Sequence, residues 1–134
     1  MKIKNITEVV IAVKNNQEAV NFFEKVLGMK FDLEWSMPNE KMNVKSTQIN
    51  NTQLQVVEST ADNGVIAKFI NSRGEGLHHI AFEVDNIEEW IVKLKEQGVQ
   101  LVPNEPISYP KGKYIFIHPK SAFGVLIELI EYTS

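Results

Sequence analysis

The 134 residues carry a formal net charge of -3, 43% hydrophobic and 23% charged residues, and no cysteine. That balance fits a single globular domain with a real core, offers no basic stripe for a nucleic acid, and excludes disulfides, thiolate metal sites and cysteine nucleophiles. The first residues lack the apolar run of a signal peptide, and no stretch nears the roughly 18 apolar residues of a membrane span, so the expected compartment is the cytoplasm.

Residues 8–13 read as a strand, with Val9, Ile11 and Val13 toward a helix and Glu8, Val10 and Ala12 on the other side. A helix follows. Asn15 or Asn16 caps it, Ala19, Val20, Phe22, Phe23, Val26 and Leu27 form its apolar stripe, and Gly28 stops it. Strands are expected at 31–35, 42–50 and 53–57, with a turn at 38–40 and a hairpin through Asn50-Asn51. Val65, Ile66, Phe69 and Ile70 have helical spacing after Asp62 or Asn63, which predicts a short linker helix.

Residues 76–84 form the strand with the most chemistry in it. Its alternation sends His78, Ile80, Phe82 and Val84 to an apolar face, and His79, Ala81 and Glu83 to the wall of a cleft. His78 is therefore structural and His79 is the candidate for chemistry. An Asp85 or Asn86 cap opens the next helix, which buries Ile87, Trp90, Ile91 and Leu94 and ends at Gly98. Strands near 99–102, 114–118 and 125–130 complete the chain.

The second half repeats the first. Residues 8–15 overlay on 79–86 so that Glu8 falls on His79, and residues 54–58 overlay on 127–131 so that Gln55 falls on Glu128. Tandem copies of one supersecondary unit usually assemble around a shared core. The expected fold is α+β, with two βαβββ modules at about 4–60 and 76–132 forming a curved mixed sheet around a cleft. Alternation faces Glu8, Gln55, His79 and Glu128 into that cleft. One imidazole, two carboxylates and an amide make a hard donor set suited to Ni, Co, Zn, Mn or Mg. A single histidine argues against the iron site of ring-cleaving oxygenases, which usually takes two.

Several stretches carry a family resemblance: residues 11–15, Asn51-Thr52, 66–69, 73–84 with the His78-His79 pair, and His118-Pro119-Lys120 running into 124–129. On these the chain resembles the vicinal oxygen chelate superfamily and, within it, the methylmalonyl-CoA epimerases. The resemblance implies a homodimer and a divalent metal (Co, Ni, Zn or Mn) held by Glu8, Gln55, His79 and Glu128. It further implies that Glu128 removes the proton α to a thioester carbonyl, with Glu8 left as the opposite-face base and Lys120 as a contact for a substrate carboxylate or CoA phosphate. Epimerases ordinarily have His where Glu8 stands, and a Glu that some of them use as second base is Val44 here. Glyoxalase I, a lactoylglutathione lyase, combines one glutamine, one histidine and two glutamates, the same ligand types with amide and carboxylate exchanged. Metal-free ligand-sequestering proteins of the bleomycin-resistance kind use a similar groove.

Overall fold

The computed structural model describes residues 1–133, which form eight strands and three helices. The strands are β1 (Ile3–Ala12), β2 (Leu33–Met37), β3 (Met42–Ile49), β4 (Thr52–Ser59), β5 (Gly76–Val84), β6 (Leu101–Tyr109), β7 (Gly112–Ile117) and β8 (Leu126–Tyr132). The helices are α1 (Asn16–Leu27), α2 (Val65–Arg73) and α3 (Ile87–Glu96). The α+β class with mixed strand pairing is as expected: β5 and β8 are parallel, while β2/β3, β3/β4, β6/β7 and β7/β8 are antiparallel.

Two compact units are present, one comprising Val9–His78 and the other Met1–Glu8 with the chain from His79 onward. In the first, strands neighbour one another in the order β2-β3-β4-β1. Both faces of β1 are covered here. Val10 and Ala12 pack with Val44, Val57 and Ile66 of α2, while Ile11 and Val13 pack with Val20 and Phe23 of α1. Alternation assigned the two sets to opposite faces correctly, but the side given to the cleft is closed at Val10 and Ala12 by α2.

Helix α1 starts as expected, with the Asn15 side chain accepting the Glu18 N–H at 3.0 Å, and ends at Gly28 in the left-handed region. Its stripe is narrower than expected. Phe22, Val26 and Leu27 are 55–62% exposed, because β4 and β3 engage only the Val20 and Phe23 side. Helix α2 has Gly64 as its N-cap rather than Asp62 or Asn63, with no side-chain cap.

In the second unit the order is β1-β5-β8-β7-β6. Val84, Ile87, Ile91, Leu101, Ile115 and Leu129 form its core, with α3 on one face of the sheet. Asn86 does not cap α3 through its side chain; the carboxylate of Glu131 accepts the N–H groups of Asn86 and Ile87 at 3.3 and 3.0 Å. Strand β6 runs to Tyr109 instead of stopping near 102. Pro103 and Pro106 lack the N–H of an inner strand, but β6 pairs only with β7 and tolerates them at the shift between Val102 and Ile107.

Candidate metal centre

Strand β5 presents its two histidines differently, as alternation requires. The His78 ring meets Phe69 of α2 edge to face at 4.9 Å, and Phe82 and Val84, of the same parity, join the core under α3. His79 is on the other face with Ala81. Parallel pairing sets Ala81 opposite Glu128 of β8, so the Glu128 side chain emerges beside His79. The imidazole Nε2 lies 3.2 Å from Glu128 Oε1 and 3.8 Å from Glu8 Oε1. One donor atom from each of Glu8, His79 and Glu128 lies within 4.8 Å of the other two. Glu8 reaches this point although its neighbour Thr7 also touches this unit, its hydroxyl 3.1 Å from that of Tyr132.

The electrostatics follow from two carboxylates sharing one imidazole. Burial alone disfavours the charged ring, yet hydrogen bonding and attraction from Glu128 and Glu8 outweigh it and raise the His79 pKa from 6.5 to about 9. Burial also raises the Glu128 carboxyl, with Glu8 adding repulsion and His79 opposing. In this state a proton on His79 balances the acids; a divalent cation would take its place.

Of the other expected site residues, Gln55 belongs to the Val9–His78 unit. It is buried on β4 opposite Ser46, and its Nε2 donates to Gln53 Oε1 at 3.0 Å, an oxygen that also accepts from Ser46 at 3.1 Å. That bond leaves the amide oxygen, the atom a metal would take, turned away from Gln53. Lys120 is exposed on the short turn Pro119–Ser121 before β8, its N–H donated to His118 Nδ1 at 3.0 Å.

The sequence reading missed the aromatic surroundings. Phe116 is paired opposite Glu128 and meets the His79 ring edge to face at 5.8 Å. Tyr114 and Tyr109 continue the face, and burial with the nearby Tyr132, Glu128 and Glu8 pushes the Tyr109 phenol up to about 12. Alternation within 114–118 could have found Tyr114 and Phe116. Tyr109 was hidden by the early end given to β6.

Residues 7–117 match the family model of the Glyoxalase/Bleomycin resistance protein/Dioxygenase superfamily. The chain belongs to this superfamily. It is 36% identical over 122 residues to the uncharacterized protein YqjC of Bacillus subtilis, covering 90% of this chain and 87% of the relative. It is also 31% identical over 126 residues to the mitochondrial methylmalonyl-CoA epimerase of Homo sapiens, covering 92% and 72%. The crystal structure of methylmalonyl-CoA epimerase from Mycobacterium tuberculosis matches with a TM-score of 0.84 at 30% identity, covering 98% of this chain and 90% of that one.

Membership in the superfamily does not by itself assign a ligand, whereas the donor set narrows it. Two carboxylate oxygens and an imidazole nitrogen converge from β1, β5 and β8, and Glu128 and His79 are mostly buried. Hard oxygen and borderline nitrogen donors at that spacing fit a divalent first-row ion. Val44, the position to which the family resemblance assigned a second base, is 2% exposed and packs with Val57 and Ile66. It cannot move a proton.

Proposed function

We propose that the protein is a metal-dependent isomerase of the methylmalonyl-CoA epimerase kind, which removes a proton α to a thioester carbonyl. The convergence of Glu8, His79 and Glu128 on one point carries this reading, and the epimerases among its relatives support an acyl thioester as substrate. These three residues would hold a divalent ion (Co, Ni, Zn or Mn) that polarises the acyl carbonyl and lowers the energy of the enolate. Glu128 is the base. Its buried carboxyl has a raised proton affinity, which suits abstraction from a weak carbon acid. Glu8 delivers or removes the proton on the opposite face, in place of the base that Val44 cannot supply. Lys120 meets the substrate carboxylate or a CoA phosphate, so Lys120→Ala should raise KM about threefold or more with metal content unchanged. The protein is proposed to act as a homodimer in the cytoplasm.

The test is elemental analysis of the purified protein together with deuterium exchange at C2 of methylmalonyl-CoA. Stoichiometric metal with exchange and epimerisation is the expected result. The apolar burial of Val44 favours a second reading, one-sided proton transfer of the glyoxalase I-like lactoylglutathione lyase kind. In that case the hemithioacetal of methylglyoxal and glutathione turns over while methylmalonyl-CoA does not. Absence of bound metal and of both activities would leave a ligand-sequestering protein of the bleomycin-resistance kind.

A further inference from the structure

The proposed reaction makes no use of the rings beside His79. Phe116 stands edge to face with the imidazole at 5.8 Å, Tyr114 with Phe116 at 5.9 Å, and Tyr109 with Tyr114 at 5.5 Å. Three rings therefore form a continuous edge-to-face run that begins at the candidate metal centre. The pairing dictates this: β7 sets Phe116 opposite Glu128 and Tyr114 opposite Ile130, and β6 sets Tyr109 opposite Gly112. The intervening residue Ile115 points the other way, into the core under α3 with Leu129. Helix α3 is thus committed to the opposite face, and the three rings remain only partly buried. Partly wet aromatic surface gains free energy when an apolar group covers it, and gains more when that group is itself a ring.

Position decides which part of a ligand would cover it. The first ring touches His79, so the wall begins at the atoms that would surround the acyl carbonyl. The substituent on the α-carbon is one bond from that carbonyl, whereas the nucleotide end of a coenzyme thiol is remote from it. The wall also carries no charge, so it offers a carboxylate no ion pair. We propose that Phe116, Tyr114 and Tyr109 form the subsite for the α-substituent and select acyl thioesters bearing an aromatic or bulky apolar group over those bearing a methyl. This rests on the α-proton chemistry proposed above and names the substrate class it serves.

The experiment compares C2 deuterium exchange of benzylmalonyl-CoA and methylmalonyl-CoA, and of the same acyl groups on pantetheine, using metal-loaded protein. In parallel, ring signals of protein labelled at Tyr and Phe are followed by NMR as each thioester is added. The wild type should favour benzyl over methyl in kcat/KM by about tenfold, on either thiol, since pocket contacts of this kind discriminate on that scale. Tyr109→Ala and Tyr114→Ala should each lower that ratio, and Tyr114→Phe should keep it. Tyr109→Ala, at the outer end of the run, provides a readout if Tyr114→Ala fails to fold. Exchange of both thioesters without preference, or a ratio unchanged in both alanine variants, overturns the subsite while leaving the reaction intact. Ring signals that move with benzylmalonyl-CoA alone, in a protein that exchanges neither thioester, uphold the subsite and overturn the reaction.

Discussion

Gln55 and Glu128 occupy matched places in the two repeats, and their burial is nearly equal at 7% and 8% exposure. Their surroundings are not. The amide of Gln55 is satisfied locally, by Gln53, which in turn takes the Ser46 hydroxyl. The carboxylate of Glu128 is satisfied by the imidazole of His79 on the neighbouring strand, with Glu8 close behind. Burial of equal depth is cheap for a neutral amide with partners and costly for a charge, which persists only beside an opposite one. The comparison teaches that the repeat conserves position, while charge decides where chemistry concentrates.

The sharpest way to break the contrast is to make the first repeat like the second. Gln55→Glu puts a carboxylate against the Gln53 oxygen, with no cation among the described residues in hydrogen-bond contact to answer it. With a chelator present, the variant should lose about 3 kcal/mol of stability near neutral pH. Its folded pKa would be raised, so the penalty grows as pH rises above the unfolded value of about 4.3 and fades below it. Urea midpoints at pH 4 and pH 8 check both size and sign; equal losses at the two pH values would mean that the new carboxylate finds water.

The converse is to strip the second repeat of its cation. His79→Ala leaves Glu128 buried and unpaired, and should cost the metal-free protein about 2–3 kcal/mol near pH 6. The wild-type imidazole has its pKa raised to about 9 from 6.5. Its stabilisation is therefore complete below about pH 6.5 and lost as pH rises through 9, so the gap between wild type and variant should close toward pH 9.5. A gap constant from pH 6 to 9.5 would show that the loss is packing rather than charge.

How far this arrangement could be read from residues alone varies by element. Residues 76–84 announced their strand in full and residues 8–13 the second half of β1, whose start at Ile3 was missed, and alternation separated His78 from His79, because period-two patterns are local. The overlay of the two halves selected Glu8, Gln55, His79 and Glu128, and the fold brings Glu8, His79 and Glu128 together within one unit. What escaped depends on partners distant in sequence. The outer part of β6 looks like a proline-broken loop until its edge position is known, and that hid Tyr109. The exposure of Phe22, Val26 and Leu27 depends on how much of α1 its neighbours cover, which no helical stripe reveals.

A smaller effect is expected at Glu8, whose side chain is a quarter exposed and farther from Nε2 than Glu128 is. Glu8→Gln keeps the length and removes a negative charge, so affinity for a divalent ion should fall about tenfold, whereas Glu8→His should keep the site occupied. Titration of Co or Zn into all three proteins decides between ligand and bystander. If Glu8 also serves the opposite face, Glu8→His should lose epimerisation more than α-proton exchange, since abstraction by Glu128 survives. Unchanged affinity in Glu8→Gln would remove it from the site.

The smallest effects test whether the units also differ in how they start their helices. Helix α1 is capped from within, by Asn15 three residues before the N–H it receives; α3 is capped by Glu131, more than forty residues away. Asn15→Ala removes one neutral cap and should cost about 1 kcal/mol. Glu131→Ala removes a charged acceptor from two N–H groups at the positive end of a helix, and should cost about 1–2 kcal/mol. Thermal melts of the three metal-free proteins at pH 7 provide the comparison, and a loss no larger in Glu131→Ala than in Asn15→Ala would mean that the distant carboxylate adds nothing beyond a neutral cap.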